Sequence, residues 1–214
     1  MVILGAQMSN ENKNQFTHLK IHTQYSICEG AVKIIDLKDF CKKNKIQAIG
    51  LSDTKNLCGA LEFAENISKV GTQPIIGSQI NFKFKDQIGI LPIIANNFEG
   101  YKNIIALSSK SYLENKTTDE PHCLFQELLN IKSGTTVLSG SFGGLIGNLF
   151  AKNLLTEIDE VLKLIKNVFG DKLYLEVQRH NDVGEKLFEE FLLKKSNDLT
   201  IPLIATHEVF YLDK

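Results

Sequence analysis

The chain has 214 residues, 43% hydrophobic and 23% charged, and a formal net charge of −1 from 24 basic and 25 acidic side chains. That length buries a full core, and such balanced charge lacks the basic footprint of a domain that grips nucleic acid by itself. No apolar run approaches the ~20 residues that span a bilayer, which argues against a membrane protein.

The opening MVILGAQ is too short and uncharged for a signal peptide, and the polar SNENKNQ after it makes residues 1–15 a disordered extension, with Met8 an alternative start. The first strand is expected over 17–23. Side chains alternate along a strand, so His18, Lys20 and His22 share one face. A helix follows over 32–45, with Val32, Ile35, Leu37, Phe40 and Cys41 as an approximate stripe. AIGLS (48–52) reads as a short buried strand ending at Asp53, and a helix over 57–70 stops at Gly71. Residues 74–84 and 90–95 are further strands, with Pro92 expected to force a bulge or an edge position.

A helix over 99–113 leads into the polar SYLENKTTDEPH, the best loop candidate, followed by the short helix CLFQELLN and the strand TTVLSG. In TEIDEVLKLIKNVFG, residues Ile158, Val161, Leu162, Ile165 and Phe169 make one helical face and Gly170 ends it. KLYLEV (172–177), a helix over 184–195 and PLIAT (202–206) complete the chain. Alternating strands and helices argue for parallel strands with crossover helices. Seven strands suit a closed or nearly closed β/α barrel, and an open doubly wound sheet is the alternative.

Histidines and carboxylates gather at strand ends: His22 within the first strand near its end, Asp53 after AIGLS, His180 after KLYLEV, and His207 and Glu208 after PLIAT. The C-terminal strand ends of a parallel α/β barrel form one face, where active sites collect. His22, Asp53, His180 and Glu208 can therefore converge, and such a nitrogen and carboxylate mix suits zinc or manganese. Each also has a plainer role, as a hydrogen-bonded rim residue or, for Asp53, a cap of the following turn. Lys20 stands where a third ligand would be wanted, and an ammonium has no lone pair to give. SGSFGGLIG (139–147) lacks both the GxGxxG order and the GxxxxGK ending, so it reads as a tight strand-to-helix turn. The four cysteines have no CxxC spacing and suit a reducing cytoplasm.

The blocks FTHLKIHTQYSICEGA, AIGLSDTKNLCGALEF, QPIIGSQINF, IIANNFEGYKNI, VLSGS, LYLEVQRH and PLIATHEVFYL occur in a fixed order. In that order they resemble the polymerase-and-histidinol-phosphatase (PHP) domain of bacterial replicative DNA polymerase III alpha subunits. The resemblance runs from residue 16 to the end, so 16–214 is expected to be one PHP domain, a fragment of a longer polymerase chain. It implies a distorted seven-stranded β/α barrel, like a TIM barrel in outline.

Metal-keeping PHP domains hold a trinuclear cluster, and the resemblance places its ligand positions here on a degenerate set. The first-strand histidine pair falls on Lys20 and His22, the Asp-His pair on Asp53 and Thr54, and a glutamate on Gln79. A histidine falls on Ile90, the cysteine of the VLSG block on Ser141, and the final Asp-x-His on Glu208 and Phe210, while His180 matches a ligand histidine. His22, Asp53, His180 and Glu208 survive as a vestigial site holding at most one weakly bound divalent ion, with Lys20 expected amid Asp53 and Glu208 as a metal-replacing cation. The resemblance implies a non-catalytic domain that stabilises the polymerase and docks a proofreading exonuclease subunit. Template-directed DNA synthesis with magnesium would belong to the parent chain. The rival expectation is a metal-dependent phosphoesterase or intrinsic 3′–5′ exonuclease on the surviving ligands.

Overall fold

A computed structural model describes residues 16–116 and 118–212. The expected disordered extension, 1–15, lies outside the described residues. The elements in chain order are β1 (Lys20–Ile21), α1 (Ile34–Asn44), β2 (Ala48–Thr54), α2 (Ala60–Ser68), β3 (Gln73–Phe84), β4 (Gln87–Ala95) and α3 (Phe98–Leu113). Then come β5 (Cys123–Leu124), α4 (Phe125–Asn130), β6 (Thr135–Leu138), α5 (Leu145–Ala151), α6 (Leu155–Phe169), β7 (Leu173–Val177), α7 (Glu185–Leu199), β8 (Leu203–Ala205) and β9 (Glu208–Val209).

The sheet runs β8-β7-β6-β4-β3-β2-β1-β9, with β5 added beside β3. Its two edges, β8 and β9, are separated in the chain by Thr206 and His207 alone. Two trans residues span roughly 10 Å from Ala205 to Glu208, so covalent continuity brings the edges together and curls the sheet into a barrel. Counting β8 and β9 as one interrupted strand, and leaving aside β5, the ring has the seven strands expected. All ring pairings are parallel except those of β4, which runs antiparallel to both β3 and β6. That reversal, made by a two-residue hairpin at Lys85 and Asp86, is the distortion of the barrel.

Pro92 forms neither bulge nor edge. It sits in continuous register opposite Gln79 inside the sheet, and the ladder to β6 begins only at Ile93. Proline has no backbone donor to give, and the neighbouring ladder stops where that donor would be required.

Helical periodicity locates the packing. On α6, Ile158, Val161, Leu162, Ile165 and Phe169 are all buried, as their spacing predicts, and Gly170 at φ +58° ends the helix. They join Phe82, Leu91, Ile93, Val137, Leu173 and others in the main core between sheet and helices. A second core seats α1 and α2 on β1 and β2 through Leu37, Phe63, Ile67 and Leu51. Burying a side chain such as Phe63 contributes about 2–3 kcal/mol. Inside the barrel a small apolar group of Leu19, Ile94 and Leu138, with Ile75, Tyr174 and Ile204, makes the floor. Among the described residues no helix is long and apolar enough to cross a membrane.

The glycine-rich turn after β6 serves close packing. A Cβ at Gly140, which has φ +79°, or at Gly144 would come within 2.9 Å of the Ile90 carbonyl oxygen on β4. Glycine there lets the turn lie against the strand.

Candidate functional site

A cavity of about 190 Å³ opens at the strand ends, lined by Lys20, His22, Glu29, Thr54, Gln79, Ile90, Ser141, Gly143, Gly144, Glu208 and Phe210. The fold thus brings together eight positions singled out in the sequence: Lys20, His22, Thr54, Gln79, Ile90, Ser141, Glu208 and Phe210. Two others, Asp53 and His180, do not line it.

Register explains the centre. Lys20 on β1 is paired with Glu208 on β9 in the parallel ladder, so their side chains emerge on the same face. The Lys20 ammonium is ion-paired with Glu208 Oε1 and, at 2.8 Å, with Glu176 Oε1 on β7. Lys20 and Glu176 are both fully buried. His22 Nε2 lies 2.5 Å from Glu208 Oε2, and its ring stacks on Phe210 at 4.5 Å between centroids. Gln79 Nε2 donates to Glu208 Oε2 at 2.9 Å. Gln178 Nε2 donates to Glu176 Oε1 at 2.8 Å, and the Thr206 hydroxyl donates to the same oxygen at 2.5 Å.

The charges reinforce one another. Burial opposes the Lys20 ammonium, yet the Glu176 and Glu208 carboxylates overcome it and hold its pKa above the ordinary lysine value. Burial likewise works to raise Glu208, but the contacts from His22 and Lys20 prevail and bring its carboxyl down to about 2.

Lys20 therefore pairs with Glu208 as expected, but with Glu176 in place of Asp53. Asp53 is wholly buried and occupied elsewhere: it accepts from the Thr23 amide at 2.7 Å, the Thr23 hydroxyl at 2.8 Å and the Ser26 hydroxyl at 2.7 Å. It ties down the loop after β1. Thr54, its neighbour, points its hydroxyl at Glu29 Oε2, 2.6 Å away. His180 is exposed, stacked on His207 at 4.6 Å, with Nε2 3.1 Å from Gln178 Oε1. His18 is only partly buried and lies edge-on to Phe16.

Glu176 is the residue that sequence reasoning passed over, although a signal existed. In LYLEV, alternation puts Leu173 and Leu175 toward the helices and Tyr174 and Glu176 toward the barrel axis. A carboxylate on the inner face of a central strand demands a cationic or hydrogen-bonding partner.

The donor set does not fit a divalent metal centre. The cation held by the two carboxylates is Lys20 itself, and Ile90 and Phe210 have no electron pair to offer where ligands would stand. Among the described residues, no group of three or more histidine, cysteine, aspartate or glutamate side chains is placed to hold a metal ion.

A curled, mostly parallel β/α barrel with a polar cluster at its strand ends defines a TIM-barrel-like fold. Solved structures agree on that fold: a putative metal-dependent phosphoesterase from Bifidobacterium adolescentis superposes with a TM-score of 0.60 at 12% identity, over 92% of this chain and 89% of that one. A two-domain protein from Bacteroides vulgatus, containing a predicted PHP-like metal-dependent phosphoesterase, gives 0.53 at 18% identity, over 96% of this chain and 57% of the other.

The chain belongs to the PHP domain family, which it matches over residues 18–180. Among similar curated proteins are the DNA polymerase III alpha subunits of Caulobacter vibrioides and Borreliella burgdorferi, each 33% identical over 95% and 94% of this chain respectively. That of Haemophilus influenzae is 32% identical over 93%. The chain spans 17–18% of the length of these relatives.

Proposed function

We propose that this chain is the PHP domain of a replicative DNA polymerase alpha subunit, acting in the cytoplasm as a non-hydrolytic part of a longer enzyme. In this reading the parent chain performs template-directed DNA synthesis with magnesium, and the PHP domain stabilises it and docks a proofreading exonuclease subunit. The likeness to polymerase III alpha subunits along nearly the whole chain supports the parent assignment. The observation that carries the non-hydrolytic role is the buried Lys20 ammonium, locked between Glu176 and Glu208 in a ring of lost ligands.

The second reading, a phosphoesterase or 3′–5′ exonuclease, draws on the His22–Glu208 pair at the cavity wall, an orienting arrangement a base would need. One experiment separates the two. The purified chain is incubated with 3′-labelled single-stranded DNA and with p-nitrophenyl phosphate, in EDTA, magnesium, manganese or zinc. We expect no hydrolysis above that of a His22→Ala, Glu208→Ala double variant. Metal-dependent release that the double variant lacks would overturn the non-hydrolytic reading. The parent assignment is tested by reading the gene beyond codon 214, where the carboxylates of a polymerase palm are expected and an immediate stop would refute it.

A further inference from the structure

The barrel has a seam. At Thr206 and His207 the last strand leaves β7, its partner through β8, and joins β1 through β9. Among the described residues, no backbone ladder joins β8 to β1. The β1–β9 ladder itself covers just two residue pairs, extended by the His22 amide donating to the Val209 carbonyl at 2.9 Å. So short a parallel pairing holds poorly without support from side chains.

That support crosses the seam from inside. The Lys20 ammonium on β1 reaches Glu176 on β7 at 2.8 Å and Glu208 on β9. Thr206, at the crossing point, donates to Glu176 Oε1 at 2.5 Å. Gln178 donates to Glu176, to Thr206 at 2.9 Å and to Glu208 at 3.3 Å. Each carboxylate is costly to bury unpaired, and the ammonium between them supplies the opposite charge that both share.

We propose that Lys20 is an internal cation that fastens the barrel seam, holding β1, β7 and β9 together from within, so that closure of the domain requires no bound metal. The inference goes beyond the functional reading above and stands on geometry even if the polymerase assignment fails. Its chemistry is that of an alkylammonium site whose ligand is a side chain of the same molecule. The site is built by the buried Glu176 and the partly buried Glu208 carboxylates and braced by the Thr206 hydroxyl and the Gln178 carboxamide that donate to them.

The test uses the 214-residue chain, thermal melting and amide hydrogen exchange. The melting midpoint of the unaltered chain should be the same in EDTA and in zinc or manganese. Lys20→Ala should lower it by roughly 10 °C, as expected when a buried ion cluster loses its cation. It should also speed exchange of the His22 amide while leaving the α6 amides slow. Millimolar n-propylammonium, which restores the deleted atoms, should recover part of the midpoint. A Lys20→Ala chain that melts like the original, or an exchange increase spread evenly over the fold, would overturn the proposal. If Lys20→Ala fails to fold, Lys20→Met and the double variant Lys20→Met, Glu176→Gln serve instead. The double variant should melt above the single one, because its orphaned carboxylate is gone, and a double variant below the single one refutes the seam cation.

Discussion

Lys20 and Glu208 are register partners in a two-pair parallel ladder, and the ammonium of one is ion-paired to the carboxylate of the other. Backbone pairing and side-chain charge therefore fix the same two residues at the place where the sheet closes. The cost of burying each charge and the entropy of aligning two long side chains are met by one local arrangement.

That arrangement predicts an acid-sensitive fold. Glu208 has a carboxyl held at about 2 in the folded chain against 4.5 ordinarily. A carboxyl depressed by folding contributes its full stability above pH ~4.5 and loses it as pH falls toward 2. The shift corresponds to about 3 kcal/mol. Lys20, raised above 10.5, acts oppositely: its contribution is complete below that value and fades only as pH rises beyond it. Urea unfolding against pH should show a plateau from about pH 5 to 10 for this cluster, and Glu208→Gln should flatten the acid limb. An unchanged acid limb in that variant would contradict the assignment.

Asp53 should behave as a structural carboxylate. Asp53→Ala leaves the Thr23 amide and the Thr23 and Ser26 hydroxyls without their buried acceptor, a loss of about 3 kcal/mol. Calorimetry should show a lower midpoint that added zinc or manganese does not restore. A metal-dependent rise in the midpoint of the unaltered chain that Asp53→Ala abolishes would reassign Asp53 as a ligand.

Restoring one imidazole should not restore a metal site. Phe210→His replaces the ring stacked on His22, yet Lys20 still occupies the carboxylates. Titration calorimetry with manganese should detect no binding to this variant. Lys20→His combined with Phe210→His should bind, because the competing ammonium is gone. Binding by Phe210→His alone would show that Lys20 is no obstacle.

Thiol chemistry should follow burial. Cys28 and Cys58 are exposed, whereas Cys41 and Cys123 are buried, with thiols that burial pushes up to about 11 and about 12. A thiolate is the reactive form, so a disulfide reagent at pH 8 should titrate two thiols in the native chain and four after denaturation. Rapid reaction of a third native thiol would point to a looser core around α1 or β5.

The amino-acid order by itself determined the elements and the anomaly among them. Apolar spacing is local information, so α6 and its five buried side chains, the stop at Gly170, and the strands around residues 48–52, 74–84 and 172–177 were legible from the residues alone. Lys20 was equally legible as a cation at a ligand position, because alternation along one strand sets its face. Tertiary structure decided what Lys20 touches. Glu176 lies 156 residues away, and only the ring order of the strands brings β7 beside the β8–β9 crossing. Its place at the end of the strand AIGLS also left Asp53 as a candidate for the cavity, whereas the β1–α1 loop, folded back through Thr23 and Ser26, claimed it first. Pro92 followed the same logic, since whether a missing donor is felt depends on where a neighbouring ladder ends. Local periodicity specifies which face a side chain takes, and long-range register specifies its partner; in this protein the chemistry of the site depends on the partner.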